Sequence, residues 1–126
     1  ELTYGLERIC MFTQKKKNVY DLIWNKEGVT YGEIFLQSEK EFSEYNFELA
    51  NTKNLFEIFT LHEQDAKELT KKKLYLPAYD LCLKASHVFN ILDSRGAISI
   101  AQRAKYIFRI RDLVKGVAEI YLEKNN

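Results

Sequence analysis

Five glycines and one proline among 126 residues leave too little turn chemistry for a fold of many short strands, so helix must dominate this chain. Glu1-Leu2-Thr3-Tyr4 alternates in character and reads as a short strand ending at Gly5. From Leu6 to Gln14 the apolar residues Leu6, Ile9, Cys10 and Phe12 take helical spacing, and Lys15-Lys16-Lys17 ends the unit. The opening is therefore strand, glycine, helix. Val19 to Trp24, apolar and aromatic, suits a short strand or a turn.

Four longer helical segments follow. Thr30 is placed to cap a helix from Tyr31 to about Leu49, with Ile34, Phe35, Phe42, Tyr45 and Leu49 on its apolar side and its glutamates facing water. Asn51 or Thr52 caps the next, to about Lys73, in which Leu55, Phe59, His62, Ala66 and Leu69 recur at steps of three and four. Its terminal Lys71-Lys72-Lys73 complements the negative end of the helix dipole. Pro77 suits the first turn of a helix to about Asp93, with Tyr79, Leu83, Val88 and Leu92 among its apolar residues. Ser99-Ile100-Ala101-Gln102 has capping-box spacing and opens a helix to about Glu123. Its expected core stripe is Ile100, Ala104, Ile107, Val114, Val117 and Tyr121, with Arg103, Lys105, Arg109, Arg111 and Lys115 over the rest. The expected fold is mainly α: a short strand-turn-helix unit followed by an antiparallel helical bundle.

Bulk properties narrow the function classes. At 14.9 kDa and 46% hydrophobic residues the chain has the size of one domain and enough apolar surface for a core. Nineteen basic against 18 acidic side chains leave a net charge of +1, so any contact with RNA must be local. Cys10 and Cys82 are far apart and outside any C-x-x-C pair, which suits reduced thiols in a cytoplasmic protein better than a zinc site or a disulfide. Charge breaks every apolar run before the roughly 18 residues a membrane helix requires. The chain starts at Glu1 and enters β-like sequence at once, as expected of a piece of a longer polypeptide.

Few residues suggest chemistry on their own. His62 and His87 have no ligand-spaced Cys, Asp or Glu on the same helix face, so both read as structural, and no metal site is expected. Neither a G-x-x-x-x-G-K-[ST] loop nor a G-x-G-x-x-G fingerprint is present. The lysine runs at 15–17 and 71–73 read as solvated helix ends or as phosphate contacts. Arg103, Arg109 and Arg111 suit phosphate, since guanidinium binds it in bidentate fashion, but Asp112, Glu119 and Glu123 on the same helix offer pairing instead. Both readings stand. Of eight tyrosines and eight phenylalanines, Tyr4, Tyr31 and Tyr45 are the candidates for base stacking, and the others read as core.

Glu1-Leu2-Thr3-Tyr4-Gly5-Leu6-Glu7-Arg8, followed by Ile9-Cys10-Met11-Phe12, resembles motif three of the class II aminoacyl-tRNA synthetases, a strand running into a helix that begins near an arginine. Val19-Tyr20-Asp21-Leu22, Tyr45-Asn46-Phe47-Glu48, Leu76-Pro77-Ala78-Tyr79, His87-Val88-Phe89-Asn90 and Ile107-Phe108-Arg109-Ile110-Arg111 are similar to the alpha subunit of the heterotetrameric bacterial glycyl-tRNA synthetase. The likeness runs over essentially all 126 residues.

The resemblance implies a class II catalytic domain ending within residues 1–25 and a C-terminal helical domain over 26–126. It implies ATP, with Mg2+, and glycine as substrates of an adenylation, with glycine then passed to tRNA(Gly). It also implies a second alpha subunit and a beta subunit as partners, the beta subunit supplying most tRNA recognition. Arg8 falls on the motif-three arginine, which lies against the adenine and reaches the γ-phosphate of a bent ATP. A flat, delocalised cation suits both tasks. On a strand, Glu1, Thr3 and Gly5 share one face, the ligand's, and Gly5 permits close approach to the nucleotide. Where the general motif usually has glycine five and seven residues before the arginine, this chain has Thr3 and Glu1. Those side chains are expected to leave room for glycine but not for a substrate with a Cβ, with the Glu1 carboxylate receiving the substrate ammonium. Glu7 suits the positive end of the helix dipole or the orientation of Arg8. Motifs one and two precede motif three in the family, so the 126 residues alone are expected to be inactive. The other reading of this segment is a non-catalytic helical module that docks the beta subunit or tRNA.

Overall fold

The structure is a computed structural model that describes residues 4–125. The chain forms two compact units, Glu1–Tyr45 and Asn46–Asn126. Among the described residues the elements are helical, with one isolated antiparallel bridge between Ile23 and Thr30. The expected strand falls largely on residues 1–3, outside the described part.

In the first unit, α1 (Leu6–Thr13) is followed by a 3₁₀ turn (Val19–Asp21), a small hairpin and α2 (Tyr31–Glu44). The α1 helix ends in a Schellman turn: Lys15, at φ 53°, and Lys16 donate to the Phe12 and Met11 carbonyls. The hairpin closes through Trp24 N–H to the Val29 carbonyl (2.7 Å) and Tyr31 N–H to the Leu22 carbonyl (2.8 Å). Gly28, at φ 88°, supplies the left-handed residue its turn requires. At Thr30 the expected cap becomes a full capping box, since Glu33 N–H donates to the Thr30 hydroxyl and Thr30 N–H to the Glu33 carboxylate. Tyr20, Trp24, Tyr31 and Phe35 form an aromatic cluster, with Tyr31 and Phe35 ring centroids 4.5 Å apart. The α2 helix buries no residue fully: Ile34 and Phe42 are exposed, and beyond Glu44 the chain turns as a π-helix over Tyr45–Leu49. The helical run thus reaches Leu49 as its periodicity suggested, with its last turn π rather than α, and its apolar side is largely uncovered among the described residues.

The second unit is an up-down-up bundle of α3 (Thr52–Lys71), α4 (Tyr75–Ser94) and α5 (Ile100–Asn125). Three residues separate α3 from α4, which forces them to be antiparallel neighbours. The direction of α5 follows from its ends: Lys73 pairs with Glu123 at 3.0 Å and Lys124 donates to the Lys73 carbonyl. Asn51 caps α3 through Asn54 N–H, and Ser99 with Gln102 forms the expected box on α5. Arg95, which sequence reasoning passed over, donates to the Ala50 and Phe47 carbonyls and ties the segment before α3 to the end of α4.

Two apolar clusters fill the bundle. One gathers Leu55 and Phe59 of α3 with Ala85, Val88, Phe89, Ile91 and Leu92 of α4, and the other Ala66, Ala78, Cys82, Leu113 and Val117. Fully buried, Phe59 and Leu92 each contribute about 1.5–3 kcal/mol relative to exposure. Small residues set the α3–α4 contact, and they turn Tyr79 and Leu83 outward, against expectation. On α5 the buried residues are Leu113, Val117 and Ile120, while Ile100 is 93% exposed and Ala104, Val114 and Tyr121 are exposed too. The stripe expected at Ile100, Ala104, Val114 and Tyr121 is therefore rotated, because the α5 face that reaches the bundle follows Tyr106, Ile110, Leu113, Val117 and Ile120.

Candidate functional site

The residues expected to carry chemistry start at the N-terminus of α1. Gly5 caps the helix with its carbonyl, which accepts from Arg8 N–H (3.1 Å) and Ile9 N–H (3.3 Å), and among the described residues no side chain caps the first turn. Such an end carries partial positive charge. Arg8 stands in that turn, exposed, and forms no ion pair among the described residues. Gly5 is at φ −38°, which any residue adopts, and a Cβ built on it would meet only the Arg8 Cγ and Cδ at 3.8 Å. Its glycine character is not required by the backbone or by packing within the described residues. Glu1 and Thr3 lie outside them.

Behind Arg8, α1 borders a cleft of about 410 Å3 lined by Leu6, Glu7, Cys10 and Gln14 on one side and Leu22, Ile23, Trp24, Tyr31 and Phe35 on the other. Partial desolvation, and then the nearby Glu7 and Glu39 carboxylates, raise the Tyr31 phenol above its ordinary value. Tyr31 thus belongs to the aromatic cluster, while Tyr4 and Tyr45 are exposed. The Gln14 side chain donates to the Ile23 carbonyl (3.0 Å) and accepts from Ile23 N–H (2.8 Å).

The three α5 arginines separate. Arg103 pairs with Asp93 of α4 at 3.2 Å. Arg109 lies on the bundle side, where its Nε donates to the Glu63 Oε1 at 3.1 Å and its Nη2 to the Glu63 Oε2. Its Cζ lies 4.5 Å from the Phe59 ring centroid and 4.8 Å from that of Tyr106. Arg111 is exposed and forms no ion pair among the described residues. Glu63, only 7% exposed, also accepts from Lys67, and Arg109 is the main reason its carboxyl is held below the ordinary value. The stripe expected on α3 ran through His62, which is only half-buried, and passed by Glu63 beside it. The signal was its place four after Phe59 and three before Ala66.

Lysine runs 15–17 and 71–73 both sit at helix C-termini, and Lys73, at φ 57°, repeats the Schellman geometry of Lys15. Among the described residues no group of three or more His, Cys, Asp or Glu is placed to hold a metal ion, and no helix is long and apolar enough to cross a membrane. Compared with known families, the chain matches the model described as glycyl-tRNA synthetase alpha subunit over residues 1–126.

Proposed function

Because the chain belongs to the glycyl-tRNA synthetase alpha subunit family, a family of tRNA synthetase subunits, we propose that it supplies the ATP-binding end of the catalytic domain and the helical domain of such a subunit. The family match over residues 1–126 is the observation that carries this reading. In it, residues 1–25 end the catalytic domain and 26–126 form the helical domain. The subunit activates glycine with ATP and transfers it to tRNA(Gly), in the cytoplasm, together with a second alpha subunit and a beta subunit.

Arg8 is the residue on which the reading turns. Its guanidinium stacks on the adenine and reaches the γ-phosphate, where a delocalised cation offsets the charge that builds on the leaving pyrophosphate. The exposure of Arg8 and its freedom from ion pairs among the described residues support this role. Gly5 leaves room for the nucleotide beside Arg8, whose Cγ and Cδ a Cβ at this position would touch at 3.8 Å. Glu1 and Thr3 are the residues that fill the glycine pocket in this reading. Mg2+ accompanies ATP as part of the substrate, and the described residues offer no cluster of acids to hold it. Of the α5 arginines, Arg111 is the one left for RNA, since Arg103 and Arg109 are held by Asp93 and Glu63.

A docking role for the helical unit is the second reading. It is favoured by a wholly apolar cleft of about 280 Å3 between α4 and α5, lined by Tyr75, Leu76, Tyr79, Val114 and Tyr121 among others. Under the first reading motifs one and two lie outside these 126 residues, so the isolated segment catalyses no glycine-dependent ATP–pyrophosphate exchange. Measurable exchange by the segment would show that the active site has been misplaced.

A further inference from the structure

The attachment of α1 to its unit is narrow. Eight residues long, α1 buries no side chain, and a cleft opens between it and the aromatic cluster. Within the described residues apolar packing therefore does not fix its pitch. Among the described residues, the hydrogen bonds that join the α1 segment to the rest of the unit are the two made by Gln14. Leu22 and Trp24 direct their backbone bonds across the hairpin to Tyr31 and Val29, which leaves the Ile23 N–H and carbonyl pointing from the opposite edge. The Gln14 amide meets both, one donor and one acceptor, in the way a neighbouring strand would.

We infer that Gln14 is a positioning residue: its amide sets the pitch of α1 on the hairpin and so places the Arg8 guanidinium for ATP. The inference rests on the reading of Arg8 given above. Six residues of helix separate the two, about 9 Å along the axis, so a tilt of about 10° pivoting at Gln14 moves Arg8 by about 1.5 Å. Misplacement on that scale is enough to weaken a contact made to a reacting phosphate. Gln14 itself touches no substrate and acts only through the helix.

The test uses the intact synthetase and glycine-dependent ATP–pyrophosphate exchange. Gln14→Met keeps the length of the side chain and removes both hydrogen bonds, and it raises the KM for ATP about tenfold while the KM for glycine and the thermal unfolding midpoint stay unchanged. Gln14→Glu keeps the bond from Ile23 N–H but loses the one to the carbonyl, and gives a smaller rise. An unchanged KM for ATP in Gln14→Met, or equal rises for ATP and glycine, overturns the inference, the latter because it marks general loosening. Arg8→Lys separates the two levels. A raised KM for ATP there with none in Gln14→Met removes only the positioning role, whereas no change in Arg8→Lys removes the reading of Arg8 and the inference with it.

Discussion

At Glu63 the helix period dictates burial, and the side chain buried is a carboxylate. Removing it leaves the Arg109 guanidinium without its bidentate partner between two aromatic rings. Because the Arg109 side chain is 32% exposed, Glu63→Ala is expected near the low end for broken buried pairs, about 3 kcal/mol by urea unfolding at neutral pH. The pair also ties stability to pH. Arg109 holds the Glu63 carboxyl below its ordinary value of 4.5, so the folded unit takes up this proton less readily than the unfolded chain. The stabilisation is complete above that ordinary value and is lost as pH falls through the lower folded one, so the gap between wild type and Glu63→Ala narrows in acid. A gap independent of pH would mean that the ionised pair is not the source. At Thr3 the proposed role is exclusion: in the intact enzyme Thr3→Gly should raise alanine activation relative to glycine by about tenfold, the effect of roughly one methyl group in a pocket. Unchanged discrimination would remove Thr3 from the glycine pocket.

Among the elements, α2 is held most tightly at its first turn. A Cβ on Gly32 would lie 2.9 Å from the Tyr20 carbonyl oxygen and 3.1 Å from the Tyr20 Cβ, against the backbone of the 3₁₀ turn. Gly32→Ala gains helix propensity of about 1 kcal/mol but must push that backbone aside, so a net loss of about 1–2 kcal/mol is expected. Trp24, the only tryptophan, packs on Tyr31 in the same unit, and its fluorescence during urea unfolding reads the loss; an unshifted midpoint contradicts it. Helix starts were legible in the sequence because a cap is local chemistry: Thr30, Asn51 and Ser99 each bond the amide three residues on. Buried faces were less so. Several overlapping apolar stripes fit α4 and α5, and Ala66, Ala78, Cys82 and Ala85 decide among them by letting helices approach closely, which no single helix reveals.

For the whole molecule, the family assignment draws on residues spread from Glu1 to Arg111, so the amino-acid order alone carries it. The proposed site was legible in part. Arg8 and Gly5 stood out by resemblance, but Gln14 did not, because its meaning depends on a hairpin edge brought to it by folding. The arginines of α5 looked alike in sequence and differ in the bundle, where Asp93 and Glu63 hold two of the three. The proposed catalytic wall, the first turn of α1, belongs to one unit of a chain whose other unit is a self-contained bundle. The function proposed for it turns on Arg8 binding ATP during adenylation. Glycine-dependent ATP–pyrophosphate exchange by the intact synthetase carrying Arg8→Ala measures that step. A fall of about 100- to 1,000-fold in kcat/KM for ATP is expected, the scale of losing one group that stabilises transition-state charge; exchange at the wild-type rate would contradict it.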